Sequence, residues 1–389
     1  MKRLWPVFIL GFVGFVTSFG AHIVAVNLPV YAKAVGVGVA VIGVLIAAYD
    51  LAEVVAKPVF GALADQRGMK QTMLAGIALF VLASLSYPFM DPRLLVVVRF
   101  VQGMGAAALS AVSLALVAVY AAEWRGRAYG IYNASKGAGY VLSPIIGAAI
   151  VWKANFAAIF LAAAAVGSVA FVLSLLLPRP PCEPRDALAN SESDDLSLRG
   201  LLDVFREPVL RPWYVVTVVN MFFVGILFGF LPVRIYALGY PPMINGLLLS
   251  TAAASYLLIQ PAAGMVADRI DPALTIRLGL ALAGTGIILV PFVRDVALLM
   301  VCVLAGIGIG IVWTNTDALI SRLAETGHLG ATMGAAGSFK ELGDMLGPLL
   351  IGLISQALGL TAGFVLCGAL GLATLGLISG RQSRLATGV

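Results

Sequence analysis

The chain holds 389 residues, of which 61% are hydrophobic and 11% charged, and its mean hydropathy is +1.01. A soluble protein carries about a quarter charged residues, so soluble, disordered and disulfide-rich secreted classes are excluded. The net charge of +6 argues for orientation in a bilayer rather than for nucleic acid, because Lys and Arg collect on the cytoplasmic side of spanning helices. Cys182, Cys302 and Cys367 stand too far apart for a metal cage or a disulfide framework, and no cofactor motif is present.

A spanning helix needs about 20 mostly apolar residues. Cutting the chain at clusters of charge, Pro and Gly predicts an all-α polytopic membrane protein with twelve spans. The first six cover 4–32, 41–64, 71–90, 94–122, 127–152 and 155–177. Their runs are continuous and rich in Ala, Leu and Gly, which argues against alternating strands. Met1–Ala21 has the basic start of a signal peptide, but its apolar run continues to about Pro29 and is read as helix 1. Helix 1 offers His22 and Asn27 as polar contacts. Helix 2 carries Asp50, Glu53 and Lys57 on one face, with Glu53 and Lys57 one turn apart. Arg99 lies in helix 4 and Lys136 in helix 5.

The longest polar stretch, 178–211, reads as a linker between an N-terminal half (1–177) and a C-terminal half (212–389). A short amphipathic piece around Leu201–Phe205 suits the membrane surface. Six more spans follow at 212–238, 244–267, 273–292, 296–321, 330–356 and 360–380. Asn220 falls in helix 7, Asn315 and Asp317 in helix 10, and Lys340, Glu341 and Asp344 in helix 11. With the N-terminus inside, sixteen basic residues fall in inner segments and five in outer ones. Both termini and the linker are therefore expected in the cytoplasm, in a cell (inner) membrane.

The two halves repeat. Lys57–Asp65 matches Gln260–Asp268, and Gly103 and Gly105 match Gly306 and Gly308, at an offset of 203. Gly130, Gly139 and Pro144 recur as Gly334, Gly343 and Pro348 at an offset of 204. Two homologous six-helix halves in one orientation place a pathway between them, which argues for transport over enzymology.

Here the residues resemble a known family. The run Gly61-Ala-Leu-Ala-Asp65-Gln-Arg67-Gly68-Met-Lys70 is similar to the loop 2–3 signature of the major facilitator superfamily, and Arg99-Phe-Val-Gln102-Gly103-Met-Gly105 to its helix-4 motif. Gly130, Gly139, Ser143, Pro144 and Gly147 resemble the helix-5 motif of twelve-span drug–proton antiporters, although Ser143 and Val151 stand where that motif has Gly. Asp271 likewise stands at the second-half position matching Gly68. The resemblance implies a monomer working by alternating access, with Gly61, Asp65, Arg67, Gly68 and Lys70 as a cytoplasmic gate. Independently, small residues at 139, 143 and 147 share one helix face and let helices approach closely, as do Gly343 and Gly347 beside Pro348.

Nine acidic and basic residues are assigned to the spans, with Arg127, Arg234 and Arg277 counted to the flanking segments: Asp50, Glu53, Lys57, Arg99, Lys136, Asp317, Lys340, Glu341 and Asp344. Each costs at least about 2.5–3.5 kcal/mol at mid-membrane unless paired or wet. Buried ion pairs rarely gain net stability, so nine in one bundle point to a watered cavity more than to helix glue. Asp317, near the inner end of helix 10, also reads as a surface residue. Lys136 and Lys340 hold repeat-equivalent positions, three residues before Gly139 and Gly343, and are expected to line the cavity and attract a charged substrate. Glu53, beside Asp50, Lys57 and Arg99, is the expected proton carrier, with Asp344 as competitor.

The expected function is a proton-coupled secondary transporter of a small organic molecule, most simply an exporter. Uptake of an organic anion or zwitterion, and a transport-inactive sensor or scaffold, stand as alternatives. No phosphate-binding loop, nucleophile elbow or zinc-binding His pair is present. The expected partners are substrate, protons and lipid, with no nucleic acid and no metal.

Overall fold

The computed structural model describes residues 5–34, 36, 38–121, 125–178, 209–267, 271–323 and 329–377. Among these the chain forms twelve α-helices and no strand. They are α1 (Trp5–Ala34), α2 (Val39–Arg67), α3 (Met69–Ser86), α4 (Leu95–Tyr120), α5 (Arg125–Lys153) and α6 (Phe156–Leu175). The series continues with α7 (Arg211–Ala237), α8 (Pro242–Ala267), α9 (Pro272–Leu289), α10 (Asp295–Leu323), α11 (Leu329–Leu358) and α12 (Leu360–Ala373). By length and composition α1 to α10 can each cross a bilayer. The last helix is shorter than its predicted span of 360–380: it tightens at Thr374–Leu377 into a 3₁₀ turn. Most of the predicted linker (179–208), the chain from 378 onward and His328 lie outside the described residues.

The helix ends follow local chemistry. Gly68 joins α2 to α3 with φ 94°, a left-handed conformation that a side chain would resist. At the matching position Asp271 solves the same problem differently: its carboxylate accepts from Ala273 N–H (2.9 Å) and caps α9, with Pro272 in the first turn. Asn155 caps α6 through Ala158 N–H (3.0 Å), whereas its counterpart before α12 is Gly359 at φ 89° with no side-chain cap.

The chain clusters into two compact units. Unit 1 comprises Met1–Gly38, Val44–Glu192 and Ile235–Ser250, and unit 2 the remainder: Val39–Gly43, Ser193–Arg234 and Thr251–Val389. Within unit 1, Gly103 of α4 sits against the Tyr49 carbonyl and 2.9 Å (as an added Cβ) from the Ala52 Cβ on α2. A Cβ on Gly105 would lie 2.6 Å from Phe80 N and 2.9 Å from Gly76 O on α3. Within unit 2, a Cβ on Gly306 would lie 2.5 Å from Ala252 O and 3.0 Å from Ser255 Cβ on α8, and one on Gly308 would press on Ala283 N and Gly279 O on α9. Every partner atom is repeated at the offset of 203. Lipid supplies no hydrophobic drive between helices, so these close approaches through small residues are what the packing rests on.

Candidate functional site

The helix-5 motif is a seam. In unit 1 a Cβ on Gly139 would lie 2.8 Å from Phe15 O and 2.9 Å from Phe19 N, and one on Gly147 would lie 2.5 Å from Asn27 Nδ2. Glycine is thus what lets α5 rest on the backbone of α1. Ser143 and Pro144 are buried along the same stretch. In unit 2, Gly343 faces the Val218 carbonyl and Gly347 the Phe222 carbonyl of α7, while a Cβ on Gly225 would lie 2.5 Å from Asp344 O and 2.7 Å from Pro348 Cδ of α11.

Unit 1 contains two polar groupings. On α2, Lys57 Nζ meets Glu53 Oε2 at 2.6 Å, with the carboxylate side chain 8% and the lysine 28% exposed. The flexible lysine stem carries its charge toward the wetter end of the pair. Asp50, one turn earlier, is also buried. On α4, Arg99 is 1% exposed. Its Nη1 donates to Gln102 Oε1 (2.8 Å), its Nη2 to the Ala21 carbonyl (3.3 Å), and its guanidinium lies 4.2 Å from the Tyr49 ring centroid. Tyr87 donates to the same glutamine oxygen (3.0 Å), and Gln102 Nε2 donates to Ser84 Oγ (2.9 Å). Hydrogen bonds from both terminal nitrogens and the Tyr49 ring make the buried charge tolerable, while Arg99 Nε has no acceptor among the described residues.

The seam of unit 1 also carries aromatic and polar side chains. His22 Nδ1 lies 2.9 Å from the Ser18 carbonyl, its ring is 4.1 Å from that of Tyr140, and Asn27 donates to the Ile23 carbonyl (2.8 Å). Phe8, Phe12 and Phe15 of α1, with Ser135 and Ala138 of α5, line an open apolar hollow. Lys136, on the same helix, is half-buried.

In unit 2 the charges of α10 and α11 meet. Lys340 Nζ lies 2.6 Å from Asp317 Oδ2 and 5.1 Å from the centroid of the Trp313 ring. This pairing is made between helices, where one-dimensional spacing is blind. Asn220 donates to the Ile309 carbonyl (3.2 Å), tying α7 to α10, and Asn315 donates to the Ile311 carbonyl of its own helix (2.7 Å). Glu341 and Asp344 are half-buried on α11.

Of the gate motif, Gly61 and Arg67 lie at the end of α2, and Arg67 is exposed. Lys70 reaches the last turn of α6, donating to the carbonyls of Leu175 (2.8 Å) and Leu177 (2.5 Å), where a cation satisfies orphan acceptors. Asp65 and Gly130 fall within α2 and α5 but outside the residues whose surroundings are described. Sequence reasoning passed over Trp313, Tyr256, Thr316, Tyr87 and Ser84. Only Trp313 left a signal, standing one turn before Asp317 on a span with few other polar residues.

The comparisons with known proteins agree with this architecture. The profile of the Major Facilitator Superfamily matches residues 10–343 and, again, 214–382. An uncharacterised MFS-type transporter of Methanocaldococcus jannaschii is 22% identical over 364 residues, covering 91% of this chain and 92% of that protein. The multidrug resistance protein Stp of Mycobacterium tuberculosis is 24% identical over 397 residues, covering 88% and 74%. Among solved structures, the nucleoside transporter NupG superposes with a TM-score of 0.81 at 12% identity, covering 97% of this chain and 98% of its own. The chain belongs to the major facilitator superfamily and is a multi-pass, all-helical membrane protein with the twelve-span fold of that family.

Proposed function

We propose that the protein is a proton-coupled secondary transporter that exports a small organic molecule by alternating access, with Glu53 as the proton carrier. The observation that carries this reading is a buried carboxylate on a lysine inside a membrane span, Glu53 with Lys57 on α2. Such a carboxylate is costly to keep ionised, and a change in lysine distance or hydration shifts its proton affinity between states. Asp50 lies one turn earlier on α2, and Arg99 of α4 rests on the Tyr49 ring, one turn before Glu53. Export is supported by the helix-5 motif and by the kinship with a multidrug resistance protein. In this reading Gly61, Asp65, Arg67, Gly68 and Lys70 form the cytoplasmic gate, and the termini and linker face the cytoplasm of a monomer in the inner membrane. The family and its transporter-named relatives speak for a transporter rather than an enzyme.

Counterflow in proteoliposomes tests the reading. Cationic, anionic and zwitterionic compounds are screened for exchange on a preloaded lumen, with and without a pH gradient. Exchange of at least one class, accelerated by the gradient, is expected. A protein that binds compounds but never exchanges them would be a sensor or scaffold.

A further inference from the structure

Among the described residues of unit 2, the buried oxygens without a hydrogen-bond partner include Asn220 Oδ1, Thr316 Oγ1 and Asp317 Oδ1. Asn220 and Thr316 are each 2% exposed. Their residues, with Thr217, Trp313 and Lys340, line a single pocket that has room for about one water molecule. Buried acceptors left open in this way are costly and point to something that fills them. The face of Trp313 closes one side, and its ring stacks on Tyr256 with centroids 5.9 Å apart and planes 10° apart. A carboxylate, two neutral acceptors and an indole face make an environment that favours a cation.

That cation is at present the ammonium of Lys340, 2.6 Å from Asp317 and 5.1 Å from the indole centroid. An ammonium has three donors, and an open oxygen of Asp317, Asn220 and Thr316 would take more than this lysine supplies. Lysine is also a flexible tether whose charge is readily hydrated, so it can withdraw.

We propose that this pocket binds the ammonium group of an organic amine, and that Lys340 is its resident occupant, displaced when the amine enters. The part this site plays in transport rests on the reading above; its binding chemistry does not. Lys340 here competes with the ligand instead of attracting it, which reverses the expectation that this lysine recruits an anion.

The test is equilibrium binding of phenethylammonium to the purified full chain in detergent, with 3-phenylpropionate as the anionic counterpart. Lys340→Met removes the competitor and is expected to tighten phenethylammonium binding by about tenfold or more, since a tethered group competes at high local concentration. Asp317→Asn is expected to abolish that binding, and 3-phenylpropionate to bind none of the three proteins. Because Lys340→Met leaves Asp317 uncompensated and can impair folding, Lys340→Gln, whose amide still donates to Asp317, is measured alongside and is expected to tighten binding in the same direction. Unchanged or weaker phenethylammonium binding in a folded Lys340 variant overturns the proposal. So does an unaltered Asp317→Asn, or 3-phenylpropionate binding that depends on Lys340. Binding in detergent needs no gradient, so a protein that binds the amine but does not transport it would contradict the transport reading alone.

Discussion

The two units share a scaffold and differ in what they mount on it. Gly103, Gly105 and Gly139 in unit 1 and Gly306, Gly308 and Gly343 in unit 2 press on repeat-equivalent backbone and Cβ atoms. Most of the polar residues do not repeat. Where unit 1 buries Ser84, Tyr87, Arg99 and Gln102 as a hydrogen-bonded network, the offset of 203 gives Ile287, Val290, Cys302 and Ala305, all fully buried and apolar. Glu53 corresponds to Tyr256, and Asp317 to Leu114. Of the nine charged residues assigned to the spans, the lysine of the seam helix, Lys136 or Lys340, is the one kept in both halves. Backbone approach tolerates no side chain and so persists through divergence. Charged groups, each of which must be satisfied individually, mark where a unit has acquired work of its own.

The sharpest way to break this comparison is to strip the network of its centre. Gln102→Ala deprives Arg99, Tyr87 and Ser84 of a partner at once and is expected to destabilise the protein by about 3–5 kcal/mol, as for a broken buried charge pair. Grafting the unit 2 quartet, Ser84→Ile, Tyr87→Val, Arg99→Cys and Gln102→Ala together, is expected to recover most of that loss. Thermal unfolding in detergent reads both, and a graft no more stable than Gln102→Ala would show that the network reaches beyond these four residues.

Gly103→Ala and Gly306→Ala test the shared scaffold. Each methyl group meets a carbonyl oxygen of the facing helix, so each is expected to cost about 1–3 kcal/mol, and the two costs should agree. A large difference between their melting temperatures would mean that the two units do not bear on these glycines alike.

The helix caps give the smallest effects. Asn155→Ala and Asp271→Ala each remove a side-chain acceptor from a helix N-terminus and are expected to cost about 1 kcal/mol. Gly359→Ala probes the uncapped counterpart of Asn155, where strain at φ 89° rather than a lost hydrogen bond sets the penalty. Retention of full stability by Asp271→Ala would show that Pro272 alone starts α9.

The helices were legible because their signal is local: a run of apolar residues of spanning length reads the same in one dimension as in three. The glycine seams were legible too, through the recurrence of Gly139 and Gly343 and of Gly103 and Gly306. The Glu53–Lys57 pair could be read from spacing because both residues lie on one helix. Arg99 bonds to Gln102 on its own helix, but the Ala21 carbonyl, Tyr49, and Asp317 beside Lys340 lie on other helices, and no spacing along α4 or α11 leads to them. Trp313 and Tyr256 were hidden for another reason, since an aromatic residue in an apolar span looks like packing until a charge is found beside it. Asp271 looked like a decayed Gly68 and is instead a cap, a difference visible only once the backbone on either side is placed.

Transport driven by protons through a carboxylate of unit 1 is the central claim, and one experiment bears on it most directly. The compound selected by counterflow is offered to proteoliposomes holding the parent protein or Glu53→Gln, with an imposed pH gradient, and its accumulation is followed with and without a protonophore. The amide mimics the protonated acid, so Glu53→Gln is expected to bind and exchange the compound but not to concentrate it, while the parent concentrates it several-fold until the protonophore is added. Accumulation by Glu53→Gln equal to that of the parent, or accumulation by the parent that a protonophore leaves untouched, would contradict the claim.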